Sequence, residues 1–212
     1  MRVAELSRQS GVPVPTIKYY LREGLLQPGE LTSPNQAQYD ESHVRRLRLV
    51  RALLEVGGLS IGLVREVLLA MQTPDKPLHD VLGVVQRTIT PVRPPDEEWS
   101  EWANDKVAAL VADRDWISTP DNPAWHALSD VLVTLRRVDA DGLVDLLDGY
   151  AEVAESAAEV DFQLIRQRHG TESVIEGVVV GTVLGDALLS ALRRMTHQNE
   201  SVKLFGEKVA LD

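Results

Sequence analysis

The chain has 212 residues, enough for one sizeable hydrophobic core or two small ones, and its 11 prolines and 14 glycines punctuate it without making it low-complexity. Cysteine is absent, which excludes disulfides, thiolate metal sites and thiol redox sensing together. A net charge of −10 by itself argues against nucleic acid, but residues 1–72 hold 9 Lys+Arg against 7 Asp+Glu (+2), leaving 13 against 25 (−12) for the rest. That asymmetry suits a nucleic-acid module joined to an acidic module that binds a ligand or a protein. Few aromatics among many Leu, Val and Ala residues predict an all-α chain. No basic stretch followed by an apolar run opens it, so a cytoplasmic protein is expected.

Arg2 to Gln9 reads as a short helix ended by Ser10-Gly11, since glycine most easily takes the left-handed conformation of a helix exit. Pro13 and Pro15 bracket the start of a second helix, where missing N–H groups cost nothing. Ile17 and Leu21, four apart, face inward and leave Lys18, Tyr19 and Arg22 outward. A polar edge of two cations and two tyrosines, Tyr19 and Tyr20, suits a wet, charged partner. Two short helices joined by a glycine-containing turn are either a DNA-binding helix-turn-helix or a generic helical hairpin; spacing alone does not choose.

Gln27 to Gln38 has no helical period and fits a hairpin. Asp40 is placed to cap a third helix, His43 to Leu54, in which Arg45, Arg46, Arg48 and Arg51 crowd together. Gly57-Gly58 ends it, and a fourth helix runs from Ile61 to Met71.

With Val3-Ala4-Glu5-Leu6, Gly11-Val12, Thr16-Ile17-Lys18-Tyr19-Tyr20, Gly24-Leu25-Leu26, Tyr39-Asp40, Leu47 and Gly57 through Leu68 in this order, residues 1–71 resemble the DNA-binding domain of the MerR family of transcriptional regulators. The resemblance implies a winged helix-turn-helix. The helix Thr16–Glu23 would enter the major groove of double-stranded DNA and the 27–39 hairpin would touch the backbone. The candidate DNA contacts are then Thr16, Lys18, Tyr19, Tyr20, Arg22, Gln38, Tyr39, Arg45, Arg46 and Arg48. Two departures stand out: Pro13 and Pro15 occupy positions where the family has a cap and a cation, and Gln36-Ala37-Gln38 replaces a Gly-aromatic-Arg run. With a salt slope of roughly 0.9 per phosphate neutralised, weaker and less salt-sensitive binding than in a typical relative is expected.

Thr73 to Pro77 reads as a linker, and Leu78 to Ile89 as a helix. The resemblance implies that this helix pairs two copies into a homodimer; packing within its own chain is the alternative. Thr90 to Pro95 marks a boundary, giving domains 1–72, 73–94 (linker and dimerisation helix) and 95–212. Helices are expected at about 96–113, 121–138, 141–168 and 172–197. In the third, Leu143, Leu147, Tyr150, Val153, Ala157, Val160 and Leu164 are expected to face inward. Gly177, Gly181 and Gly185 form a row in the last. Because each helical glycine costs ~1 kcal/mol relative to alanine, another backbone is expected to pack close there, in the same chain or across a dimer. Glu176 and Asp186 interrupt this run, which argues for a buried helix and against a membrane span. The predicted fold class is all-α with a small β wing: a winged helix-turn-helix plus a C-terminal helical bundle.

The four tryptophans, Trp99, Trp102, Trp116 and Trp125, cluster in sequence beside Glu98 and other acids. Aromatic faces with a carboxylate suit a hydrophobic cation, as in some members of the family; cementing a helical core is the alternative. The histidines lack partners at metal spacing, and no nucleotide, nucleophile or zincin motif appears, so neither a metal, a cofactor nor an enzyme is expected. The resemblance implies a homodimeric regulator whose acidic domain senses a small molecule or protein and realigns promoter DNA for RNA polymerase. An architectural DNA-bending protein, or an adaptor that has abandoned DNA, are the other readings.

Overall fold

The structure, a computed structural model, describes residues 1–33, 36–72, 78–90 and 99–206. Its elements form two units. One comprises residues 1–68 and the chain from Glu176 onward; the other comprises residues 69–175. The last helix therefore groups from Glu176 with the N-terminal helices, not with residues 95–175.

Helix α1 (Val3–Ser10) ends at Gly11, which adopts φ 71° and donates its N–H to Ser7 O at 3.0 Å. An L side chain is strained there, so this residue makes the sharp turn possible. Helix α2 (Val14–Arg22) starts at Pro13, with Pro15 in its first turn. Strands β1 (Glu30–Ser33) and β2 (Gln36–Gln38) pair antiparallel, Glu30 opposite Gln38 and Leu31 opposite Ala37. Helix α3 (Glu41–Arg51) is capped by Asp40, which accepts from the Ser42 and His43 N–H groups. Side-chain hydrogen bonds from Ser42 and then His43 hold the Asp40 carboxyl well below the usual carboxylate range. The chain continues as a π-turn (Ala52–Val56) and helix α4 (Ile61–Met71).

Leu6, Val12, Ile17, Leu25, Leu47, Val50, Leu53, Val64 and Leu68 form the core of this unit, each with almost no exposed surface. Helix α10 (Thr171–Phe205) packs on it by one side: Val178, Val179 and Val183 are buried. A Cβ built on Gly57 would lie 2.3 Å from Val183 Cγ1 and 2.8 Å from Leu53 O, so α10 approaches as close as it does because Gly57 has no side chain. Gly57→Ala is expected to destabilise by about 1–3 kcal/mol through overpacking. An unchanged thermal midpoint would show that this approach is not needed.

In the second unit, α5 (Leu78–Ile89) packs against α7 (Pro123–Arg137), and Val85 on α5 is fully buried. Helix α6 (Ser100–Asp113) pairs with α7 around Ala103, Val107, Trp125, Leu132 and Val133. Asn122 caps α7 by accepting from Ala124 N–H at 3.0 Å, with Pro123 at its first position.

The expected single helix over 141–168 is two: α8 (Asp141–Val144) and α9 (Leu147–Arg166). Gly142 and Gly149 flank the break, both poor helix formers, and Leu146 N–H bonds three residues back, to Leu143. The expected inward row is also corrected. Leu143, Tyr150, Val153 and Val160 are exposed, while Ala151 is buried and Leu147 packs against the α6–α7 core. Leu164 lies outside the described side chains. The apolar arc of α9 is wider than the chain covers, and its packing edge is the one carrying Leu147 and Ala151.

Helix α10 outruns its expected end at 197 because nothing breaks it before Gly206. By length and composition Ser173–Phe205 is long and apolar enough to cross a membrane, contrary to the sequence expectation. Within it, Val178, Val179 and Val183 are buried on the N-terminal core.

Candidate nucleic-acid interface

Helix α2 divides by its period. Ile17 is fully buried and Tyr20 is 7% exposed; Pro15, Lys18, Tyr19 and Arg22, at spacings of three and four, line the opposite side and are exposed. Thr16 is half-buried at its edge. The Arg22 guanidinium stands 5.8 Å from the centre of the Tyr19 ring. The face is therefore cationic at Lys18 and Arg22 with a flat aromatic between them, a combination suited to phosphate and to base or sugar edges.

Tyr20 turns the other way, and burial raises its phenol above the usual range, reinforced by the nearby Glu55 carboxylate. Tyr39, 8% exposed, is held by its N–H to Met1 O at 2.8 Å and meets the His43 ring edge-on at 5.1 Å. Both tyrosines position the elements around them; Tyr19 is the one that reaches solvent. Gln38 is exposed on β2, and Arg2 donates to Gln36 Oε1 across the wing at 3.2 Å. A Cβ on Gly29 would lie 2.4 Å from Gln38 O, so the base of the wing closes tightly over this glycine.

The arginines of α3 serve mostly as braces. Arg46 donates Nε–H to Leu25 O at 3.1 Å, just beyond α2, and Arg48 donates to Gln9 O at 3.0 Å. Arg51 is paired with Glu55 at 2.8 Å and reaches Gly11 O at 3.4 Å. Arg45 is exposed. Sequence reading missed Arg65, whose Nε–H donates to Glu23 O at 2.8 Å while its guanidinium pairs with the Glu23 carboxylate at 2.6 Å. This cation satisfies a carbonyl at the C-terminal end of α2 and ties that end to α4. No local signal marks it, since its partner lies 42 residues away.

Residues 1–71 match the family described as MerR HTH family regulatory protein. A solved structure, that of the candidate transcriptional regulator SCO5550 from Streptomyces coelicolor A3(2), aligns with a TM-score of 0.74 and 32% identity, covering 99% of this chain and 100% of its own. The chain belongs to the MerR family. The HTH-type transcriptional regulator ZntR homolog of Haemophilus influenzae is 40% identical over 50 residues, 24% of this chain, and the chain spans only 37% of that curated relative's length. The HTH-type transcriptional regulator HmrR of Rhizobium leguminosarum bv. viciae is 28% identical over 130 residues, 61% of this chain and 98% of its own.

In this MerR-family chain the tryptophans do not form one site. Trp125 is a core residue whose Nε1–H donates to Asn104 Oδ1 at 3.1 Å. Trp116 donates to Glu155 at 2.8 Å, beside Arg114, whose 13% exposed side chain pairs with Asp148 and Glu155. Trp99 and Trp102 are half-buried on the α6–α7 core and stand either side of one cation, the Arg136 guanidinium, 4.5 and 4.4 Å from their ring centres. The cation that these rings accept is thus supplied by the chain itself. Glu98 lies outside the described residues. Among the described residues no group of three His, Asp or Glu side chains is arranged to hold a metal ion.

Proposed function

We propose that this MerR-family chain is a cytoplasmic, bacterial, homodimeric transcriptional regulator that binds promoter DNA sequence-specifically. Helix α2 enters the major groove, and the β1–β2 wing with Arg45 touches phosphate. The observation that carries this reading is the outward row Pro15, Lys18, Tyr19 and Arg22 on a helix anchored from behind by Ile17. The dimer distorts the promoter spacer, and an effector on the acidic domain favours one of two dimer shapes, changing how RNA polymerase meets its sites. The effector is an organic cation that lies against Trp99 and Trp102 in exchange for Arg136; fluorescence quenching across a set of such cations tests it, and unaltered emission throughout would count against it.

The DNA reading is tested by mapping the genomic sites of purified protein and titrating one of them across salt. Because Arg46, Arg48 and Arg51 are occupied by carbonyls or carboxylates, few cations remain for phosphate, and the grip rests heavily on Lys18. Lys18→Ala is expected to weaken binding and to lower the salt slope by about 0.9 per subunit. An unchanged slope would move the phosphate contact elsewhere. Absence of DNA binding even at low salt would favour an adaptor role.

A further inference from the structure

The outward face of α2 is carried by Pro15, Lys18, Tyr19 and Arg22, and the residue at its centre has no charge. At about 100° per residue, Lys18 lies about 60° to one side of Pro15 and Tyr19 about 40° to the other. Arg22, two turns further on, returns to within about 20° of it. Pro15 is exposed in the first turn of the helix, after the exposed Pro13. Neither ring carries an N–H, so two of the four backbone donors that a helix start turns outward are missing. No side chain caps this end, Val14 and Thr16 are half-buried, and the first cation on the face is Lys18, ~4.5 Å further along the axis. The first turn of a recognition helix is the part that meets base edges. Here it offers ring methylenes in place of hydrogen-bond donors.

We propose that Pro15 reads the C5-methyl group of a pyrimidine in the major groove, whichever base carries that methyl. The idea rests on the DNA-binding role proposed above and names what α2 recognises there. Guanine, adenine and cytosine present only hydrogen-bonding groups in the major groove, whereas thymine adds an apolar one, its C5-methyl. Ring methylenes set against the polar edges would leave them desolvated and unpaired, which costs affinity. Against the methyl the same methylenes exclude water from both surfaces. 5-Methylcytosine carries this methyl in the same place, so methylation of a cytosine at this step would restore binding that cytosine loses. Burying one methyl against the ring corresponds to about a threefold to fivefold change in affinity for each helix bound. Arg22 lies ~10.5 Å farther along α2, about three base-pair steps of 3.4 Å, so its contact is separate from the base that Pro15 meets.

The probe is a duplex taken from one genomic site bound by the full-length protein, with each thymine replaced in turn by deoxyuridine. Uracil pairs with adenine as thymine does and lacks only the methyl. One thymine per half-site should show a loss of about threefold to fivefold for the wild type. That loss should vanish in Pro15→Ser and persist in Lys18→Ala. Putting a cytosine–guanine pair at the same step should weaken binding, and 5-methylcytosine there should recover about threefold to fivefold of it. Pro15 is exposed, so the circular dichroism melt of Pro15→Ser should match wild type. The uracil and 5-methylcytosine arms use the wild-type chain alone and test the reading of a methyl whatever a variant does to folding. Uracil tolerated at every position, or a methyl effect that survives Pro15→Ser, overturns the role of Pro15 and leaves DNA binding standing. 5-Methylcytosine that binds no better than cytosine overturns reading of the methyl alone. A wild type that binds no genomic site even at low salt overturns the DNA-binding role itself.

Discussion

Ile17→Ala is expected to destabilise the N-terminal unit by about 2–5 kcal/mol, the range for truncating a buried aliphatic side chain and leaving a cavity. Ile17 is fully buried and holds α2 to the core from the side opposite Lys18, Tyr19 and Arg22. The loss is a large share of the stability of a small unit, so the thermal midpoint should fall by many degrees and DNA binding should fall with it. Ile17→Val should cost only about 0.5–1.5 kcal/mol. The contrast with Lys18→Ala is diagnostic: the first removes binding by removing the fold, the second leaves the melting curve in place. Circular dichroism melts beside DNA titrations make the comparison, and an Ile17→Ala chain that melts like wild type would mean that α2 is not held by this side chain.

Trp125→Ala should cost about 3–5 kcal/mol in the second unit. The ring fills the space between α6 and α7 beside Val107, Leu132 and Val133, and its loss also strips a donor from Asn104 Oδ1, which Ser129 Oγ reaches at 2.9 Å. Trp125→Phe keeps most of the apolar contact and gives up chiefly that hydrogen bond, a net effect of about 1 kcal/mol. Chemical denaturation followed by circular dichroism separates the two variants. Equal losses from Phe and Ala would show that the hydrogen bond, not the packing, dominates at this position.

Much of the N-terminal unit was legible because its signals are local. Gly11, Pro13, Pro15 and Asp40 act within one helical turn of where they stand, and the ends of α1, α2 and α3 follow them closely. The outward row on α2 was legible too, since helical period alone separates Lys18 and Arg22 from Ile17. Periodicity failed on α9, where it marks which residues are apolar but not how much of an apolar arc the rest of the chain will cover. Tyr20 and Tyr39 look like interface residues by composition and are buried all the same.

The surface around Thr16–Glu23 shows the division most clearly. Sequence by itself determined a short helix after a tight turn, with two cations and a tyrosine on its free edge, because those features depend on spacing within a few residues. Tertiary structure alone decided which other cations support it. Arg46, Arg48 and Arg65 are bound to carbonyls 21, 39 and 42 residues away, and Arg136 is placed against Trp99 and Trp102 at the start of α6. An arginine shows its charge in the sequence, but whether that charge braces a helix end or remains for phosphate depends on which carbonyls the folded chain brings within reach.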